Sequence, residues 1–259
     1  MSLRPICALM LKLPSDHTLR AVWAVALIAL IIAWIRKDRW PSQDTLLTAV
    51  STAPKQTPID RPPFQERRHG LDYVITPRYR YDLYGLVVSR NDSASFADYY
   101  HDAWKDFLNT GDLCIVWGQN VRSGVYRRVK YTSGSWTCYF ELPADMDPSE
   151  RSSFNGHELS NNHVLPANDQ INRRILSVRR GDQIHFTGYL VDYAHQGDAW
   201  SRRTSTTRDD ELCEIVYVTD FEVLRRANPG WRFVYALALP LVVISSILLA
   251  VRTFLAPPW

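Results

Sequence analysis

His157, Glu158 and His163 are the residues of this chain whose types most directly suggest a metal or an acid–base centre. The run His157-Glu158-Leu159-Ser160-Asn161-Asn162-His163 sets its two imidazoles six residues apart. A zinc helix of the H-E-x-x-H kind needs them four apart, on one face. Six places them on different faces, so no metal and no cofactor is expected. Asn161, Asn162 and His163 are expected in a loop, where they cap and order the turn into a following helix. A hydrolase would join Cys138 or Cys213 to His163 or His185 and Asp182. The chain carries no G-x-S-x-G nucleophile elbow and no Gly-rich phosphate loop, so no catalytic residue is assigned.

A second group of side chains suggests binding. Arg202, Arg203 and Arg208 lie among Thr and Ser residues between two strand-like segments. If the domain is OB-like, such a loop suits an anionic polymer, with Trp200 or Tyr193 stacking on it. His163 and Asn162 complete the candidate binding set. The adjacent Asp209, Asp210 and Glu211 give the competing reading, a solvated loop whose charges cancel. Of four cysteines, Cys7 lies in the N-terminal tail, and Cys114, Cys138 and Cys213 lie in strand-like segments. Without a C-x-x-C pair they suggest neither a redox motif nor a zinc ribbon. They read as small buried hydrophobes, or, in an oxidising compartment, as one bridged pair and one free thiol.

The elements that would position these residues follow from periodicity. Residues 82–89 are rich in β-branched and aromatic side chains and predict a strand. Ser95 to Leu108 carries Phe96, Tyr99, Tyr100, Ala103, Trp104 and Phe107 at spacings of three and four, which predicts an amphipathic helix packed on a sheet and stopped by Gly111. Strands follow at 112–118, 125–131 and 136–142, the last two joined by a short Gly-containing link. Residues 143–160 read as a loop. Pro166 to Val178 predicts a second helix with Ile171, Ile175 and Val178 on its buried face. The last strands are 183–191, kinked at Gly188, and 212–224, with Cys213, Ile215, Tyr217 and Phe221 on one side. Strands with two helices and short connections predict an α+β domain, specifically a small OB-like barrel.

Two apolar runs bracket this domain. A bilayer core takes roughly 20 apolar residues as a helix, and the second run, 231–252, meets that length. The first, 19–37, is closed by Arg20 and by Arg36-Lys37, whose stems can snorkel to headgroups. No small-residue cleavage site follows it, so an uncleaved anchor is expected rather than a signal peptide. The expected organisation is a tail (1–18), a first span (19–37), a Pro-rich stalk (38–70), a β-rich domain (71–226), a second span (231–252) and a short tail (253–259). Thr45 to Val50 reads as a helical turn at the membrane surface, and Trp40 as part of an interfacial aromatic belt. Basic residues flank both sides almost equally. The short basic N-terminal tail is the better guide to orientation and places the domain outside the cytoplasm. The formal net charge of +3 is spread along the chain, so no nucleic acid partner is expected.

The segments 112–118, 133–138, Ser160-Asn161-Asn162-His163, Gly181-Asp182-Gln183-Ile184 and 208–214 resemble recurring phrases of a family of uncharacterised bacterial two-span inner-membrane proteins. That resemblance covers about Tyr79 to Val223. It implies a bacterial inner membrane and carries no activity to transfer. The expected function is therefore non-enzymatic: a multi-pass membrane protein whose domain binds a partner protein, or a second copy, and organises a membrane complex. A module binding polysaccharide or nucleic acid, and an envelope hydrolase or thiol enzyme, are the alternatives. Pro240 and Ser245-Ser246 in the second span fit a helix packed on neighbours.

Overall fold

A computed structural model describes residues 15–93, 100–134, 136–197, 199–207 and 212–255, the side chain of Leu255 excepted. The chain divides into two units: its two ends, up to Arg39 and from Asn228, and the intervening residues Trp40–Ala227.

The end unit contains helices α1 (Asp16–Lys37) and α6 (Pro229–Leu255). Both are long and apolar enough to cross a membrane. The serine at position 15 caps α1, its Oγ accepting from Thr18 N. Ala26, Ala33, Ala238 and Ser245 are buried in this unit, where small side chains let helix backbones approach. The Trp23 indole donates to Ser246 Oγ at 3.0 Å, and Asp16 pairs with Arg252. Ser245 bonds back to Leu241 O in its own helix, so of the two serines it is Ser246 that bonds across.

The intervening unit is α+β. Its strands are β1 (Lys55–Pro58), β2 (Phe64–Arg68), β3 (Leu71–Asp92), β4 (Gly111–Val116), β5 (Lys130–Gly134), β6 (Thr137–Glu141), β7 (Leu159–Pro166), β8 (Gln183–His195), β9 (Ser201–Arg202) and β10 (Glu214–Arg225). Its helices are the short α2 (Tyr100–Ala103), α3 (Gly118–Arg122) and α4 (Pro148–Ser153), and the longer α5 (Asp169–Leu176). The main sheet is mixed. β3 pairs with β4, β4 with β7, β7 with β10, β10 with β8, and β8 returns to β3, an uneven ring in which only β7 and β10 run parallel. β1 and β2 add to β3, β9 adds to β8, and β5 and β6 form a separate hairpin.

Leu83, Ile115, Val164, Phe186, Val216 and Phe221 pack with Ile171, Ile175 and Val178 into one core, so the predicted apolar face of α5 is buried as its spacing requires. Asn168 caps this helix, its side chain accepting from Ile171 N at 2.9 Å. Pro166 instead ends β7, and the helix begins later than the sequence suggests. Gly188 sits where a Cβ would come within 2.1 Å of Tyr217 O, so this position requires the absence of a side chain.

Several expectations are corrected. The stalk of residues 38–70 contains β1 and β2, and Val50 within it is fully buried among Leu86, Val116 and Tyr126. Its prolines occupy strand ends and connections while its apolar residues reach the core. Trp40 likewise packs edge-on against Tyr126 and Tyr131, with the Arg180 guanidinium 3.9 Å over its ring. Of the helix expected over 95–108, residues 94–99 lie outside the described residues, and α2 gives way at Lys105, whose φ is 55°. Gly111 opens β4 rather than stopping a helix. Residues 125–127 form a single 3-10 turn, and the loop 143–160 contains α4. Phe221 faces the core that holds Val216 and Val218, opposite Ile215 and Tyr217. A bulge between Val218 and Asp220 inserts one residue and reverses the alternation.

Candidate functional site

The Asn161-Asn162-His163 run lies in β7, not in a loop, because its polar side chains find partners on neighbouring strands. Asp112 and His163 are direct cross-strand partners in the β4–β7 ladder. Their side chains fall on the same face, where His163 Nδ1 lies 2.5 Å from Asp112 Oδ1 and neither side chain is exposed. Asn109 Nδ2 reaches Asp112 Oδ1 at 3.2 Å and His101 Nε2 at 2.9 Å. On the far side of the His163 ring, Arg202 Nη2 is 2.8 Å from Nε2, and Arg202 Nη1 is 3.3 Å from Asp106 Oδ2. The buried chain thus runs carboxylate, guanidinium, imidazole, carboxylate. Each basic group in this chain contacts a carboxylate, and pairing of this kind is what allows ionised groups to stay buried.

Electrostatics follow from this arrangement. Burial opposes ionisation of Asp112, but the His163 imidazole and the Asn109 amide outweigh it and hold the carboxyl below its ordinary value. Burial also opposes protonation of His163, yet the Asp112 carboxylate prevails over burial and the Arg202 charge, and holds the imidazole above its ordinary value. Cys213 is partly buried and unbridged. Burial raises its thiol, while the neighbouring His163 imidazole and the Asn161 amide, 3.5 Å from Sγ, together bring it below the usual value.

Trp136 covers this network. It occupies the turn between β5 and β6 with φ of 72°, a left-handed conformation that bulky residues avoid. Three contacts hold it there: its N–H donates to Asp112 Oδ2 at 3.0 Å, its indole N–H to His101 Nδ1 at 3.2 Å, and Arg202 lies 4.3 Å over its ring. The other side of Trp136 opens into a cleft of about 430 Å³ lined by Tyr100, Trp104, Trp136 and Tyr139. Tyr100, Trp104 and Tyr139 are at least half exposed. The aromatic stripe expected to pack on the sheet therefore faces solvent in part.

The structure distributes the candidate binding residues as follows. Arg202 and His163 meet in the buried network. Tyr193 is buried, its hydroxyl donating to both Asp106 oxygens at 2.8–2.9 Å, so it presents no ring face to a ligand. Trp200 stacks on His195, with centroids 4.2 Å apart. Asn162 is fully buried on the opposite face from His163, its amide donating to Ser160 Oγ at 2.7 Å. Arg203 is exposed and borders a surface depression with Arg61, Arg78 and Asp192. Arg208 lies outside the described residues.

Asp112, Asn109, His101, Asp106 and Trp136 were not singled out by sequence, and Cys213 appeared only as a type-compatible thiol. Segments 112–118, 133–138 and 160–163 all contribute to this one region, a proximity that spacing along the chain does not reveal. Cys114 and Cys138 are disulfide-bonded. Among the described residues no group of three or more His, Cys, Asp and Glu side chains is placed to hold a metal. Compared with protein-family models, curated proteins and solved structures, the chain matches none.

Proposed function

We propose that this is a two-span bacterial inner-membrane protein whose central domain, an OB-like barrel outside the cytoplasm, binds an envelope protein through the aromatic cleft of Tyr100, Trp104, Trp136 and Tyr139. The cleft carries the reading. Large aromatic rings clustered and left half exposed are what protein interfaces concentrate. The OB-like reading draws on strand order: β3, β4, β7, β10 and β8 pair in the sequence first, second, third, fifth, fourth and back to first, with α5 between third and fourth. The extracytoplasmic reading draws on the Cys114–Cys138 bridge, since such bonds persist in oxidising compartments.

One observation favours a second ligand class. In OB-like domains the second and third strands, with the loops joining first to second and fourth to fifth, bind oligosaccharides and oligonucleotides. Here those parts supply Asp112 and His163 from β4 and β7, Trp104 from the first loop and Arg202 from the second. Arg202 is neutralised by Asp106, which favours a glycan over a nucleic acid.

A photo-crosslinking amino acid placed at Trp104 in intact cells tests the binding reading. A defined protein adduct that disappears on adding Tyr100→Ala is the expected result; labelled glycan without protein supports the second reading. Cytoplasmic activity of a reporter inserted in residues 143–147 overturns the orientation.

A further inference from the structure

We propose that the end of the intervening unit from which both chain ends leave is a docking surface for anionic phospholipid headgroups, contacted by Arg127, Arg180, Arg225 and Arg226. Such docking rests on the reading of α1 and α6 as membrane spans, and it uses no residue of the aromatic cleft.

Two consecutive residues hold the ends of this unit side by side. Asp182 Oδ1 accepts from Ala227 N at 2.8 Å. The Gln183 side chain accepts from Leu47 N at 2.7 Å and donates to Thr45 O at 3.0 Å. The unit runs from Trp40 to Ala227, while α1 ends at Lys37, three residues before it, and α6 begins at Pro229, two residues after it. An extended residue spans at most about 3.6 Å, so these connections reach no farther than about 11 and about 7 Å. A headgroup layer is roughly 5–8 Å deep on each side of a bilayer core. With the helices in a bilayer, Trp40 and Ala227 therefore stand at or beside the headgroups.

Uncharged partners orient the guanidiniums at this end. Arg127 Nη2 donates to Pro41 O at 2.9 Å, Arg225 Nη1 to Thr45 O at 2.6 Å and Arg226 Nη1 to Ser177 O at 3.2 Å. The Arg180 guanidinium lies 3.9 Å over the Trp40 ring. All four arginines are exposed. A carbonyl oxygen fixes a guanidinium without cancelling its charge, which leaves the fork for a phosphate. Two carboxylates of the same unit lie beside them: Asp182, fully buried and 3.8 Å from Arg226 Nη1, and the exposed Asp44 near Arg127. The arginines outnumber them. Asp220 and Glu222 border a depression with Arg226, but they stand five or more residues up β10 from Ala227, about 17 Å along an extended strand. Basic side chains beside a membrane span are attracted to an anionic surface, each by about fivefold in binding.

The full wild-type chain is reconstituted in nanodiscs of phosphatidylcholine, alone or mixed with phosphatidylglycerol, and its arginines are modified with phenylglyoxal and mapped by mass spectrometry. Arg127, Arg180, Arg225 and Arg226 should react about fivefold more slowly in the mixed discs. Arg203, which borders a depression with Asp192 nine residues along β8 from Gln183, should react equally in both. Equal rates at the four arginines overturn the proposal, and so does a slowing that Arg203 shares. In native mass spectrometry the wild-type chain should retain phosphatidylglycerol over phosphatidylcholine, and the combined Arg225→Gln, Arg226→Gln chain should lose much of that preference. A preference unchanged in that chain belongs to Arg36 and Lys37 at the end of α1 and overturns the proposal. A wild-type chain that stays in solution without detergent or lipid overturns the membrane reading itself, and the docking with it. The labelling uses wild-type protein throughout, so a variant that fails to fold leaves the test intact.

Discussion

Asp112 Oδ1 and His163 Nδ1 lie 2.5 Å apart across the β4–β7 ladder, with both side chains fully buried. Since the two residues are register partners, this contact depends on backbone pairing rather than on flexible loops. Removing one partner of such a pair leaves the other buried and uncompensated. Asp112→Asn is therefore expected to destabilise the domain by about 3 kcal/mol, measured by chemical denaturation at neutral pH. A change below the error of that measurement would refute the pair's structural role.

The same pair sets a pH window. His163 is held above its ordinary value of 6.5, so its contribution is complete below that value and is lost as pH rises through the raised one. Asp112 is held below its ordinary value of 3.8, so its contribution is complete above that and is lost as pH falls through the lowered one. Denaturation midpoints should form a plateau between these limits and decline on both sides. Asp112→Asn should flatten both declines.

The Cys114–Cys138 bridge spans 24 residues of sequence. Closing a loop of that size contributes about 3 kcal/mol in the chain-entropy model. A Cys114→Ala, Cys138→Ala chain should lose that amount, and the wild-type chain should lose a similar amount under reductant. Equal stability with and without reductant would contradict the bridge.

Exposed rings should behave differently from buried ones. Tyr100→Ala and Trp104→Ala are expected to change stability by no more than about 0.5 kcal/mol while abolishing the binding proposed for the cleft. Gly188→Ala, which drives a methyl group into Tyr217 O, should destabilise by about 3 kcal/mol. Comparable thermal midpoints for Gly188→Ala and wild type would show that β8 and β10 can separate there.

Legibility in the sequence varied by element for physical reasons. Ile171, Ile175 and Val178 repeat at helical spacing and are buried together. The link after Ser133 is a hairpin, with Ser133 opposite Cys138 and Gly134 opposite Thr137. Local patterns suffice there because the partners are local. Asn161 and His163 were misplaced because an Asn-Asn-His run looks like a loop until Asp112, about fifty residues earlier, satisfies it from the neighbouring strand. The displaced face of Phe221 has a similar origin: one extra residue at a bulge is invisible to a count of alternation. The apolar ends were readable from length and composition, whereas the packing of Val50 and Trp40 was hidden under the prolines around them.

The long strand β3 has a kinetic consequence. Tyr73 pairs with His195 and Leu86 with Gln183, so the contacts that complete the ring join residues roughly a hundred positions apart. Loop closure must precede the stabilisation such contacts give, and domains dominated by non-local pairing fold slowly. During synthesis, β3 emerges long before β8 exists to cover its edge. The nascent chain therefore carries an unpaired edge, a template for intermolecular pairing, until the second half of the domain arrives.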